Sequence, residues 1–363
     1  MPPTHDGVLA ALKTVQDPEL HRDIVALNMV KDVKISDGQV IVQVELTTPA
    51  CPLRQTIERD IQAALRTVDG VAGVEVKFSA NVRGANTRKN LLPGVKNVIA
   101  VGAGKGGVGK STLAVGIAAG LALQGARVGL LDGDVYGPSI PTMTGLGTRP
   151  PAIDGENIIP FSIGSPDNPI RVMSIGFIVP KEKALIWRGP MVHGVIRQFL
   201  EQVQWGELDY LVVDLPPGTG DVSLTLAQSI PLTGAVIVAT PQEVALRDAR
   251  RAVRMFQQLG VAILGVVENM SGFVCAHGVQ YDIFGRGGAQ AMAREMGLPF
   301  LGDIPIDMRI RRGSDAGEPF AAVSGEAPGT EKFIAIVRNL AGQISIRNLT
   351  RPPAQALKID VTE

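Results

Sequence analysis

Apolar positions follow two rhythms in the first eighty residues. "VLAALKTV" (8–15) and "CPLRQTIERDIQAALRTV" (51–68) place them at helical spacing, whereas "VKDVKI" (30–35) and "QVIVQVEL" (39–46) alternate as strands do. The "SDG" between the two alternating runs supplies a tight turn, and "GVEVKF" (73–78) reads as a closing strand. These elements predict a compact α+β domain over residues 1–80. From residue 97 the rhythm changes. "NVIAVGA", "RVGLLDG", "YLVVDLP", "GAVIVAT", "AILGVVE" and "FLGDIP" are unbroken apolar runs bounded by turn residues. Such runs suit strands buried on both faces of a parallel sheet. Segments 111–124, 190–203, 244–259 and 287–296 supply covering helices, which predicts a doubly wound, mostly parallel α/β domain over 96–347. The polar, glycine-bearing 81–95 reads as a linker, and 348–363, with "TRPPAQ", as a mobile tail. No internal repeat is visible.

Composition narrows the class. The 363 residues carry 35 basic and 35 acidic side chains, so no bulk charge draws the chain to nucleic acid or a membrane surface. The longest apolar stretch, Leu113 to Ala126, is broken by glycine and shorter than the roughly 20 residues of a membrane span. The N-terminus shows no basic segment followed by an apolar one. Two cysteines, Cys51 and Cys275, make no disulfide framework and fit a reducing compartment. The expectation is a soluble cytoplasmic protein that binds neither nucleic acid nor membrane.

The chemistry starts at "GKGGVGKS", Gly104 to Ser111, which fits G-x-x-x-x-G-K-(S/T) between a strand and a helix. Gly104, Gly106, Gly107 and Gly109, with Lys105 and Val108 between them, form a loop whose amides can turn onto phosphate oxygens at the helix's positive end. Lys110 is expected to reach the β- and γ-phosphates of ATP, Ser111 to hold Mg²⁺, and Thr112 to bond the α-phosphate. Asp214 ends the run "YLVVD", a usual place for a carboxylate serving the magnesium shell. Asp132 and Asp134 end another run two residues apart. Alternate strand residues share a face, so both are expected at one cleft, one ordering the metal's waters and the other the attacking water. Lys105 is an additional cation, which by itself reads either as a second phosphate ligand or as a solvated loop lysine.

Lys105 to Ser111, K-G-G-x-G-K-S, resembles the deviant Walker A loop of the ParA/MinD class of dimerising P-loop ATPases. The resemblance implies that Lys105 crosses a homodimer interface to the partner's ATP. "LLDGDVYGPSIPTMTG", "IWRGPMVHGVIRQFL", "VVDLPPGTGDVSLTL", "TPQEVALRDARR" and "ENMSGFVC" together are similar to the Mrp/ApbC iron–sulfur cluster carriers. "DPEL" (17–20) and "LTTPACPL" (46–53) resemble the small iron–sulfur-assembly domain often fused to them. The resemblance implies that Asp134 is the catalytic switch carboxylate with Asp132 beside it, and that Asp214 is the Walker B residue. It further implies that Gly218 to Asp221 form a second switch and that Asn269 reads adenine. The implied partners are a second copy of the chain and iron–sulfur apoproteins or an assembly scaffold. In one respect the chain departs from the family: where C-x-x-C is usual, it reads Cys275, Ala276, His277, Gly278. Two subunits would offer two thiolates and two imidazoles to a bridging iron–sulfur cluster, since histidine replaces cysteine in some clusters. The alternative is a loop that has lost its ligands, in a regulatory or partitioning-type ATPase of the same class. Cys51 reads as a small hydrophobe at a helix start or as a ligand or redox thiol.

Overall fold

The computed structural model describes the chain apart from residues 1, 19–21, 85–90, 179–188, 276, 326–327 and 351–363. The small N-terminal unit contains α1 (His5–Leu12), β1 (Val30–Ser36), β2 (Gln39–Leu46), α2 (Arg54–Leu65) and β3 (Gly73–Ala80). Its sheet order is β1-β2-β3, the first pair antiparallel and the second parallel. Asp37 and Gly38 both take positive φ, 48° and 78°, which is the backbone a two-residue hairpin between right-twisted strands needs. The alternation in β2 is read out directly: Val40, Val42, Val44 and Leu46 are buried and share a core with Ile57, Ile61 and Leu65 of α2.

The larger unit is built on β4 (Val95–Ala103), β5 (Val128–Asp132), β6 (Phe161–Ser165), β7 (Asn168–Ser174), β8 (Leu208–Asp214), β9 (Gly234–Ala239), β10 (Ile263–Val274), β11 (Gln280–Tyr281) and β12 (Phe300–Ile306). They form one sheet ordered β6-β7-β5-β8-β4-β9-β10, with β11 and β12 both on β10. The pairs from β7 to β12 are parallel; β6 and β11 join antiparallel. Every residue of β5, β8 and β9 is buried, as unbroken apolar runs require. Helices α3 (Lys110–Leu123), α4 (Gly189–Glu201), α5 (Asp221–Ser229), α6 (Glu243–Gln258), α7 (Gly288–Glu295), α8 (Met308–Ala316) and α9 (Pro328–Thr350) accompany the strands.

Three features differ from the sequence reading. The sheet gains an edge hairpin, β6 and β7, whose runs are short and carry Pro169 and Arg171. The helix α9 runs to Thr350, so the expected tail from Asn348 starts inside it. Its buried Phe333, Ile336, Val337, Leu340, Ala341 and Ile344 have helical spacing, a signal the sequence does carry. Only 351–363 of that tail lies outside the described residues. The described residues at both ends of the expected linker are also anchored. Val82 and Leu92 are buried and β4 already begins at Val95. The Arg83 carbonyl accepts from the side-chain amides of Asn97 at 2.9 Å and Asn348 at 2.8 Å.

The two units meet at the end of the sheet where β8 begins. Tyr210 is fully buried and donates its hydroxyl to Thr48 Oγ1 at 3.0 Å, and Ala50 packs into the core of the larger unit. Burial pushes the Tyr210 phenol well above its ordinary range, so the hydroxyl stays protonated and available to donate. Cys51 follows directly, half-buried against the small unit's own core, the position of a small hydrophobe before α2. Asp214 lies at the other end of β8, four residues on, roughly 13 Å away at strand rise.

Candidate nucleotide site and the Cys275 hairpin

The sheet brings β4, β5 and β8 to one edge. Asp214 is in register with Val101 on one side and Asp132 on the other. The loop after β4 is shaped by close approach. A side chain at Gly104 would strike the α6 backbone at Asp248, and one at Gly109 would strike the Asn269 amide; Gly109 also has φ 83°. Helix α3 then begins at Lys110, so its amides face the loop. A cavity of about 810 Å³ opens there, lined by Lys105, Gly106, Gly107, Gly109, Lys110, Ser111 and Thr112 on the loop side and by Asp134 and Asn269 beyond it. Val108 is buried behind the loop, and its carbonyl accepts from Asn269 Nδ2 at 2.8 Å.

Lys110 is 7% exposed, with its ammonium 2.5 Å from Asp214 Oδ1, 3.3 Å from Ser111 Oγ and 3.4 Å from Asp134 Oδ2. The whole of Asp214 is buried. Burial raises the Asp214 carboxyl above its ordinary range against the opposing pull of Lys110. Its Oδ2 has no hydrogen-bond partner. An orphaned carboxylate oxygen next to the Ser111 hydroxyl is an all-oxygen donor set suited to a hard cation such as Mg²⁺. Asp134 stands on the cavity wall, its Oδ1 accepting from the amides of Tyr136 and Gly137 at 3.3 Å each. Lys105 is half-exposed at the cavity rim and makes no ion pair among the described residues.

Asp132 departs from expectation. It is fully buried and does not line the cavity. Its Oδ1 accepts from Asp134 N at 3.1 Å; its Oδ2 accepts from Ile140 N at 3.2 Å and Ser174 Oγ at 2.9 Å. The rule that residues two apart share a face holds only while the strand continues. Here β5 ends at Asp132 and the chain turns at Gly133, whose amide bonds the Asp214 carbonyl at 2.9 Å. Asp132 therefore braces the loop that carries Asp134. Burial first, then the Asp214 charge, raises its carboxyl to about 8.

The opposite wall of the cavity carries no element of the loop motif. Met270, Phe284, Ile304 to Met308, Arg311 and Asp315 form it. Phe284 comes from the loop after β11; the others come from β10, from the end of β12 with Asp307 after it, and from α8. The run "FLGDIP" marks a strand, and in open α/β sheets ligands bind beyond carboxyl ends of strands, which is the signal that points there.

Cys275 and His277 lie off the cavity. Beyond Asn269 the strand β10 bulges through Met270 and Gly272, at φ 59° and 74°, and then pairs with β11 through Phe273–Tyr281 and Val274–Gln280. Cys275 sits half-buried at the head of this hairpin, its amide bonded to Val279 O at 3.0 Å and its carbonyl accepting from Gly278 N at 2.9 Å. His277 is exposed, and Ala276 between them is outside the described residues. Among the described residues no group of three or more His, Cys, Asp or Glu side chains is arranged to hold a metal ion.

A phosphate loop closing onto a helix, a buried lysine between two carboxylates and a parallel sheet define a P-loop NTPase. The match to known families makes this specific. Residues 94–341 match the model of the NUBPL iron-transfer P-loop NTPases, and residues 5–78 match that of an iron–sulfur cluster assembly protein. The chain belongs to the NUBPL-type iron-transfer P-loop NTPase family, here with that N-terminal domain. It is 51% identical to the iron–sulfur cluster carrier protein of Deinococcus radiodurans over 353 residues, 97% of this chain and 99% of that one. It is 44% identical to the iron–sulfur cluster transfer protein NUBPL of Dictyostelium discoideum, covering 84% of this chain and 94% of that one. Among solved structures, an ADP-bound nucleotide-binding protein of Archaeoglobus fulgidus superposes with a TM-score of 0.57 at 42% identity, over 64% of this chain and 93% of that one. The MinD cell division ATPase of Pyrococcus furiosus shares the fold, with a TM-score of 0.52 at 23% identity over 69% and 98%. No helix among the described residues is long and apolar enough to cross a membrane.

Proposed function

We propose that the chain binds and hydrolyses ATP with Mg²⁺ and, as a homodimer in the cytoplasm, carries iron–sulfur clusters to apoproteins. The observation that carries the ATPase half is Lys110, a nearly buried cation held between Asp214 and Asp134 at the mouth of the phosphate loop. In this reading the loop amides and Lys110 bind the phosphates. Ser111 and the unpartnered Asp214 oxygen would hold Mg²⁺, which would supply positive charge against the charge that develops on the transferring phosphoryl group. Asp134 orients the attacking water, and Asp132 keeps Asp134 in place. Lys105 delivers its charge to the partner subunit's ATP, and Asn269 holds the loop by its amide nitrogen while its oxygen is left for adenine.

The cargo half rests on the position of Cys275. Its half-buried thiol heads a hairpin that springs from the nucleotide cavity's wall, and close relatives carry the names of cluster carriers. One chain supplies one thiolate there, so the cluster is shared by two copies, with His277 or a small thiol completing its four ligands. The single cysteine at this hairpin, with His277 in place of a second one, also supports a second reading, a dimerising regulatory ATPase without cargo. Iron and acid-labile sulfide after anaerobic reconstitution separate them. Wild type is expected to hold iron that Cys275→Ser loses, with ATP hydrolysis retained in both. Wild type without iron supports the second reading; iron unchanged in Cys275→Ser moves the ligands elsewhere, Cys51 first.

A further inference from the structure

Glu268 has no assigned part in nucleotide binding, yet its carboxylate accepts three directed hydrogen bonds. It is fully buried. Its Oε1 accepts from Ser271 Oγ at 2.6 Å and from Gly287 N at 2.7 Å, and its Oε2 accepts from Ala289 N at 2.7 Å. Ser271 lies at the outgoing root of the Cys275 hairpin, and Gly287 and Ala289 lie where the chain returns into α7. One side chain therefore ties both roots of the excursion 271–287. The next residue, Asn269, is bonded to the phosphate loop, and Met270 after it faces the cavity in the left-handed region, a strained place for a side chain that is not glycine. Four consecutive residues thus touch the hairpin roots, the phosphate loop and the nucleotide cavity.

The geometry points to Glu268 as a positioning residue that couples nucleotide occupancy to the Cys275 hairpin. A nucleotide in the cavity bears on Asn269 and Met270. The Glu268 clamp converts any shift of that wall into a shift of both hairpin roots, because charge-assisted bonds of this length leave little slack. Without the clamp the hairpin roots would be held only by the chain and by the Phe273–Ile306 pairing to β12, and the strained Met270 turn would absorb the displacement. The meaning of the coupling for cluster release rests on the cargo reading above; its existence does not.

The test reads the thiol. In a Cys51→Ser background Cys275 is the remaining cysteine, and its alkylation rate by a small maleimide is measured with and without Mg²⁺ and a non-hydrolysable ATP analogue. The two rates are expected to differ by at least about fivefold, the lower end of ordinary coupling between sites. Glu268→Gln, which cannot accept at both oxygens, is expected to bring the ratio close to one while nucleotide affinity stays within about twofold. A merely structural role would change both rates together and leave the ratio intact. If Glu268→Gln folds poorly, Ser271→Ala removes the outgoing tie alone and is read the same way. Equal rates in the parent, or an undiminished ratio in the folded variants, overturn the proposal. Because no iron is involved, failure to hold a cluster would sink the cargo reading and leave this result standing.

Discussion

The phosphate loop and the Cys275 hairpin leave the same sheet from strands two apart, β4 and β10, and are built on opposite principles. At the loop the reacting groups are enclosed. Lys110 is nearly buried, Asp214 entirely so, and glycines at 104 and 109 exist because neighbouring backbone and the Asn269 amide leave no room for a side chain. At the hairpin the candidate ligands lie at the surface, with Val274, Val279, Tyr281 and Ile283 exposed around them. Charge stabilisation during phosphoryl transfer needs groups fixed in a dry setting before the reaction. A group handed to another protein must stay reachable. On the proposed reading, the contrast teaches that burial in this molecule is apportioned by whether the ligand is transformed or passed on.

The comparison breaks first at Lys110. Lys110→Ala is expected to lower ATP hydrolysis on the order of 10²–10³-fold, the cost of removing one preorganised charge donor. Asp134→Ala is expected to lower turnover comparably while leaving nucleotide affinity within a few-fold, because its proposed work is on the attacking water. Hydrolysis assays with equilibrium binding of a fluorescent ATP analogue check both. Wild-type turnover in Lys110→Ala would show that enclosure at this loop serves something other than catalysis.

Lys105 sharpens the comparison, since it sits at the rim between the enclosed site and the outer surface. Lys105→Ala is expected to weaken ATP-dependent dimerisation about tenfold, or 1.4 kcal/mol, with a parallel loss of turnover. Mixed with Lys110→Ala chains it should recover part of that turnover, because each mixed dimer retains one intact site. Heterodimers that form and stay inactive would place the lysine in cis.

The smallest effect concerns Asp132, whose burial is structural. Its folded carboxyl is raised to about 8 from an ordinary 3.8, so the unfolded chain releases that proton first as pH rises. The contribution is therefore fully present below about pH 4, declines between about 4 and 8, and is lost above. Asp132→Asn has no such proton and is expected to flatten the fall in Tm between pH 5 and 8. An unchanged slope would mean that another group, Asp214 included, carries it.

Much of this was legible in the residues. Unbroken apolar runs give buried parallel strands because both faces must be covered, and the Gly104–Ser111 spacing gives a phosphate loop because its constraints are local. Local pattern also locates Cys275 in its loop. It does not reveal that Asp132 faces inward: the alternation rule breaks where the strand ends, and Ser174, forty-two positions on, completes its bonds only when β7 pairs with β5. The far wall from Ile304 to Asp315 was hidden for the same reason, since it joins the loop only through the strand order. Glu268 reads as one more polar residue at a strand end. Tertiary structure alone makes it a clamp, because its partners at 271, 287 and 289 converge only after the chain has gone out through Cys275 and returned. Sequence by itself determines what short spacing and burial demand; which distant groups share one carboxylate is decided by the fold.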